Sequence, residues 1–109
     1  MKRYCLALDL KDDPQLIAEY EEYHKAIWPE IHASIIDIGI TNMEIYRYGN
    51  RLVLLVEAND DFTFEAKAVA DAANPKVQEW EMLMWKYQQA LPGTPAGAKW
   101  MLMDKIFQL

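Results

Sequence analysis

Hydrophobic periodicity changes along this chain in an order that few folds accommodate. From residue 3 to residue 10 the period is two. Tyr4, Leu6, Leu8 and Leu10 share one face, and Arg3, Cys5, Ala7 and Asp9 share the other, as in a half-buried strand. The period then lengthens: Leu16, Tyr20, Tyr23, Ile27, Ile31 and Ile35 form one apolar helical stripe. Asp13-Pro14 supplies an N-cap and a proline at the first helical position, and Gly39 supplies a C-terminal cap. Inside this stretch Pro29 lacks a donor and disfavours helical geometry at Trp28, which predicts a kink or a break with restart.

Two strands follow, Met43 to Tyr48 and Leu52 to Glu57, joined by Gly49-Asn50, a dipeptide suited to a tight hairpin. Leu52, Val53, Leu54, Leu55 and Val56 are all apolar, so both faces of that strand are expected to be buried. Helices on one side of a four-stranded sheet cover one face only. A second copy of the chain is the simplest cover for the other, and a homodimer is expected. Asn59-Asp60-Asp61 opens the next helical region, with Asp60 or Asp61 as its cap, running through Phe62, Phe64 and an alanine-rich stretch. Asn74-Pro75 starts a second segment, with Val77, Trp80, Met84, Tyr87 and Leu91 as its stripe. Residues 92–97 read as a surface loop, and Trp100 to Leu109 as a last strand that crosses toward a partner. The order β-α-β-β-α-β is the ferredoxin-like split βαβ plan of an α+β protein, here a single domain over residues 1–109.

Composition narrows the function classes. Eleven Lys and Arg against seventeen Asp and Glu give a net charge of −6, which disfavours nucleic acid as a partner. No apolar run approaches the roughly 20 residues of a membrane span, and the N-terminal strand is broken at Asp9, unlike a signal peptide. A soluble, cytoplasmic protein without a membrane partner is expected. Lone Cys5 allows no intrachain disulfide. No glycine-rich phosphate loop is present, so no nucleotide cofactor is expected. His24 and His32 lie about 12 Å apart along a helix, without a supporting carboxylate, so no metal is expected either.

Candidates for chemistry concentrate in Glu19-Tyr20-Glu21-Glu22-Tyr23-His24. Tyr20 and His24 are one helical turn apart on the face that meets the sheet. An imidazole beside a phenol there can be held in one tautomer and tuned for proton transfer. The same spacing fits a structural histidine, bonded to a carbonyl exposed by Pro29. Tyr20, Tyr23, Trp28, Tyr46, Trp80 and Trp85 offer rings on which the apolar face of a sugar stacks, or plain core packing. Glu44 within an apolar strand and Glu81 beside Trp80 read either as inward-facing carboxylates or as exposed ones.

With Tyr20-x-x-x-His24-x-x-Ile27-Trp28-Pro29-Glu30, then Asn42-x-x-Ile45-Tyr46, then Asn74-Pro75-x-Val77-Gln78-x-Trp80, the sequence resembles the L-rhamnose mutarotase family over nearly its whole length. The resemblance implies a dimeric ferredoxin-like α/β barrel that interconverts the α and β anomers of a 6-deoxy-L-sugar without a cofactor. It implies His24 as proton donor and Tyr20, Glu44, Trp80 and Glu81 as sugar contacts. Two departures stand out: Glu81 occupies a position where rhamnose enzymes tend to have Trp, and Glu44 replaces a residue that is often small. L-Rhamnose and L-fucose differ in configuration at C2 and C4, so new carboxylates change which hydroxyls are read. L-Fucose is therefore the expected substrate. The alternatives are L-rhamnose, a non-catalytic sugar-binding protein, or a cofactor-free monooxygenase-type barrel.

Overall fold

A computed structural model describes residues 1–109. Its sheet is built around β1 (Lys2–Leu10), which pairs antiparallel with β3 (Arg51–Ala58), itself paired antiparallel with β2 (Ile40–Tyr48). On the other side of β1 lie two short pieces, β4 (Gln88–Gln89) and β5 (Met101–Leu102). The order β2-β3-β1-β4 is that of the ferredoxin-like plan, with its fourth strand delivered in two separated fragments. Gly49, at φ +60°, begins the β2–β3 turn, where a side chain is disfavoured.

Three prolines start helices as the sequence predicts. In α1 (Pro14–Lys25), the Asp13 carboxylate accepts from the backbone N–H groups of Gln15 and Leu16. The chain breaks at Ala26–Trp28 and restarts as α2 (Pro29–Asp37), so Pro29 separates two helices and does not merely kink one. Asn74 caps α4 (Pro75–Trp85) through the N–H groups of Lys76 and Val77. The fourth helix start differs from expectation. Thr63, not Asp60 or Asp61, caps α3 (Phe64–Ala72), its hydroxyl accepting from the Ala66 N–H, while Asp60 pairs with the chain's amino terminus.

All four helices lie on one face of the sheet, packed against Leu6, Leu8, Leu10, Leu52, Leu54 and Val56. The buried core falls into two clusters. One gathers Leu10, Tyr20, Ile31, Leu52, Val77, Trp80, Met84 and Tyr87; the other gathers Leu6, Ile40, Leu54, Val56, Ala58 and Phe62. Ile35 and Trp100 pack against both.

The opposite face of β3 is not covered by the chain itself: Leu55 is exposed, as is Tyr46 on the same face of β2, opposite Val53. The last strand is shorter than predicted. Pairing to β1 ends one residue past β5, with Met103 N–H donating to the Cys5 carbonyl at 2.8 Å, and Asp104–Leu109 run on exposed. No helix is long and apolar enough to cross a membrane.

Candidate active site

Between the two core clusters lies a cavity of about 290 Å³, walled mainly by Leu6, Ile31, Ile35, Leu54, Val77 and Met84. Its polar groups are few: Tyr20, His24, Ser34, Lys67, Asp71, Glu81 and Gln88. A concave, mostly apolar space with a handful of convergent polar groups is the usual form of a small-molecule site.

The break before Pro29 leaves His24 in the last turn of α1. Its Nδ1 lies 2.8 Å from the Tyr20 carbonyl oxygen. A carbonyl only accepts, so Nδ1 carries the hydrogen and Nε2 is left to exchange protons. The imidazole packs against the Tyr20 ring, centroids 4.3 Å apart, and edge-on to Trp80 at 5.7 Å. Burial in this aromatic setting holds His24 below its ordinary 6.5, opposed by the bond to the Tyr20 carbonyl.

Tyr20 is buried, and that burial pushes its phenol up to about 12 against the hydrogen bond from Gln88, with the Glu81 charge adding to the rise. It is therefore a neutral donor or acceptor at any working pH. Gln88 Nε2 lies 3.5 Å from the Tyr20 hydroxyl, while Gln88 Oε1 is buried without a partner. Trp80, 6% exposed, presents its indole to the cavity between Tyr23, His24 and Trp28. Glu81 follows it on α4. Lys99, 10% exposed in its side chain, donates to Glu81 Oε2 at 2.6 Å and to the Glu81 carbonyl at 3.1 Å. Burial lowers the Lys99 ammonium, and the bond and charge of Glu81 oppose that shift.

Four of the five residues expected at the site, Tyr20, His24, Trp80 and Glu81, thus line one cavity. Glu44 does not. It pairs with Leu55 on the open face of the sheet and accepts from the Tyr46 hydroxyl at 3.1 Å. The cause is a register irregularity between Ile40 and Asn42, which leaves one extra residue in β2. Met43 and Ile45 then join Ile40 on the cavity side, and the even-numbered residues beyond the irregularity face away. His32 also lies outside this cavity, along a neighbouring groove beside α2. No group of three or more His, Cys, Asp or Glu is gathered in metal-binding geometry.

Gln88 carries no sequence signal, because it sits in a two-residue strand too short to register as a period. Lys67 and Asp71 were hidden for another reason. A Lys–Asp pair at i,i+4 in an alanine-rich helix reads as a solvated surface pair.

Comparison with known proteins bears on what this arrangement does. A family model described as L-rhamnose mutarotase matches residues 3–109. The L-fucose mutarotase of Xanthomonas campestris pv. campestris is 48% identical over 111 residues, covering 100% of this chain and 89% of that one. The L-rhamnose mutarotase of Klebsiella pneumoniae is 31% identical over 90 residues, covering 82% of this chain and 81% of that one. Among solved structures, an L-rhamnose mutarotase from Formosa agariphila superposes with a TM-score of 0.73 at 20% identity, covering 100% of this chain and 99% of the other. That likeness is one of fold.

Proposed function

Because the chain belongs to the L-rhamnose mutarotase family, we propose that it interconverts the anomers of L-fucose, with His24 as the proton donor. Mutarotation is an isomerisation: the hemiacetal ring opens, the aldehyde turns, and the ring closes on its other face. Opening breaks the bond between C1 and the ring oxygen. His24 Nε2 gives its proton to that oxygen, and a base takes the proton of the anomeric hydroxyl, leaving the C1 aldehyde. Both transfers reverse on closure, so no net proton is consumed.

The carrying observation is the fixed imidazole. With Nδ1 committed to the Tyr20 carbonyl, only Nε2 is available, inside a cavity of sugar size. Glu81 is the base, directly or through a water: Lys99 engages Oε2 and leaves Oε1. Glu44, on the other face of the sheet, is not assigned that role. Trp80 offers a face for the apolar side of the ring, and Tyr20 a hydroxyl. One positioned acid–base group contributes ~10²–10⁴-fold, ample for a reaction that already proceeds unaided.

L-Fucose is favoured over L-rhamnose by the 48% identity to an L-fucose mutarotase and by a carboxylate, Glu81, beside Trp80. Saturation-transfer NMR on both sugars tests the reading. Exchange of L-fucose above the protein-free rate, lost in a folded His24→Ala variant, is the expected result; full activity in that variant would overturn the donor assignment.

A homodimer completes the reading. Exposed Leu55, Tyr46 and Tyr48 on the open sheet face, with Ile106 and Phe107 in the tail, are surfaces that a second copy would cover. Light scattering coupled to gel filtration should return twice the chain mass, and Leu55→Lys should lower it.

A further inference from the structure

Helix α3 is inside out. Its only residues withdrawn from solvent are Phe64, Lys67 and Asp71, spaced to share one face, and all three line the cavity. Val69, its branched aliphatic residue, is 73% exposed on the outside. An amphipathic helix packed on a sheet ordinarily presents apolar residues inward and charges outward. Here an ammonium and a carboxylate, 28% and 25% exposed in their side chains, form an ion pair facing a cavity whose walls are mainly apolar. An exposed pair at this spacing contributes little to stability, and turning it inward adds a desolvation cost. Stability alone therefore gives no reason for the placement.

The pair retains bonding capacity. Lys67 keeps two N–H donors beyond the one spent on Asp71, and the carboxylate keeps most of its lone-pair sites. A donor beside an acceptor is what a sugar hydroxyl needs, because that group accepts and donates at once. Phe64 packs against the second core cluster, whereas Tyr20, Trp80 and Met84 belong to the first. α3 therefore forms a different wall from the one that carries His24.

We propose that Lys67 and Asp71 form a hydroxyl-reading clamp, which binds the sugar edge remote from the anomeric carbon while His24 addresses C1. This rests on the mutarotase reading for the identity of the sugar. It adds the residues that discriminate at C4, a position at which L-fucose and L-rhamnose differ.

The test separates binding from exchange. L-Fucose is titrated against the thermal midpoint of the wild-type protein and of Asp71→Asn, Lys67→Met and the doubly apolar Lys67→Met/Asp71→Leu. Exchange is followed by NMR on the same samples. Each variant should need on the order of 10- to 100-fold more L-fucose for the same stabilisation, as expected for a lost charged hydrogen bond. 4-Deoxy-L-fucose should distinguish the variants from wild type far less. The doubly apolar variant should melt no lower than wild type when empty, which guards against misfolding as the cause. Unchanged titrations in all three variants, or no stabilisation of wild type by L-fucose, would overturn the clamp. Pair-dependent binding without any exchange would instead refute the mutarotase reading and leave the clamp standing.

Discussion

Tyr20 and Gln88 form a buried polar pair whose energetics can be worked out before any measurement. They are 3% and 5% exposed, and their single contact, Gln88 Nε2 to the Tyr20 hydroxyl, is 3.5 Å long. A bond at that length sits at the weak end, about 0.5 kcal/mol net. Gln88 Oε1 has no partner at all, so Tyr20→Phe strips the carboxamide of its last hydrogen bond. Leaving such a group buried and orphaned costs ~1–3 kcal/mol. The phenyl ring keeps the packing on His24, so we expect a loss of about 1–2 kcal/mol, most of it from the amide. For 109 residues the unfolding entropy is about 0.23 kcal/mol per kelvin, which converts to a midpoint lower by roughly 4–9 °C. Gln88→Leu removes the orphan instead and should be close to neutral. In that background Tyr20→Phe should cost under about 0.5 kcal/mol, because both partners are then apolar. Urea titrations with unchanged slope read the four corners of this cycle. With Tyr20 neutral up to about 12, the cycle should be the same at pH 6 and pH 9. A Tyr20→Phe cost as large in Gln88→Leu as in wild type would show that the orphaned amide is not its origin.

Other expectations concern protonation, caps and faces. Burial keeps His24 below 6.5, so above that value its donor form falls about tenfold per pH unit, and catalysed exchange should decline from pH 6.5 to pH 8.5. A rate that climbs with pH would make neutral His24 the base. For stability the sign is the opposite: the unfolded chain takes up the proton first, so the native state weakens as pH falls from 6.5 through the depressed folded value. His24→Gln should remove that segment of the stability–pH curve, as read by denaturation at pH 7.5 and 5.5. Thr63→Ala should cost ~1 kcal/mol as a lost helix cap, whereas Asp61→Ala should leave the melting temperature unchanged. Glu44→Gln should leave L-fucose exchange intact; a fall would place Glu44 at a partner's cavity.

Much of this fold is legible because its punctuation is local. Asp13-Pro14, Trp28-Pro29 and Asn74-Pro75 act through the geometry of one residue and its neighbours, and each starts a helix where it should. Gly49-Asn50 sets the hairpin for the same reason. The features that escaped depend on longer-range accounting. Which face Glu44 takes depends on a single irregularity at Ile40–Asn42, and one extra residue exchanges every side chain beyond it. Asp60 and Asp61 are good caps by type, but the chain must first bury Phe62, which delays the helix until Thr63. The final strand is apolar enough for ten residues by composition, yet its pairing stops after Met103, where Asp104-Lys105 interrupts the apolar run, although β1 continues to Lys2. At the site, Tyr20, His24, Trp80 and Glu81 lie in helices whose stripes are clear. Lys67 and Asp71 look like solvent-facing residues until α3 is seen to turn its apolar side outward.

The space between the two core clusters has a consequence for how such a protein changes. Most enzymes carry their reactive groups on loops above a scaffold that folds regardless of them. Here Tyr20, Trp80 and Met84 are both wall and foundation, and only Ile35 and Trp100 bridge the halves. A sugar bound there, as proposed, is in effect a removable piece of the interior, so each substitution that refits the cavity to another epimer also redraws the packing that keeps the chain folded. Substrate preference and thermal resistance cannot drift independently, and lineages that alter one should show compensating changes at the bridging residues.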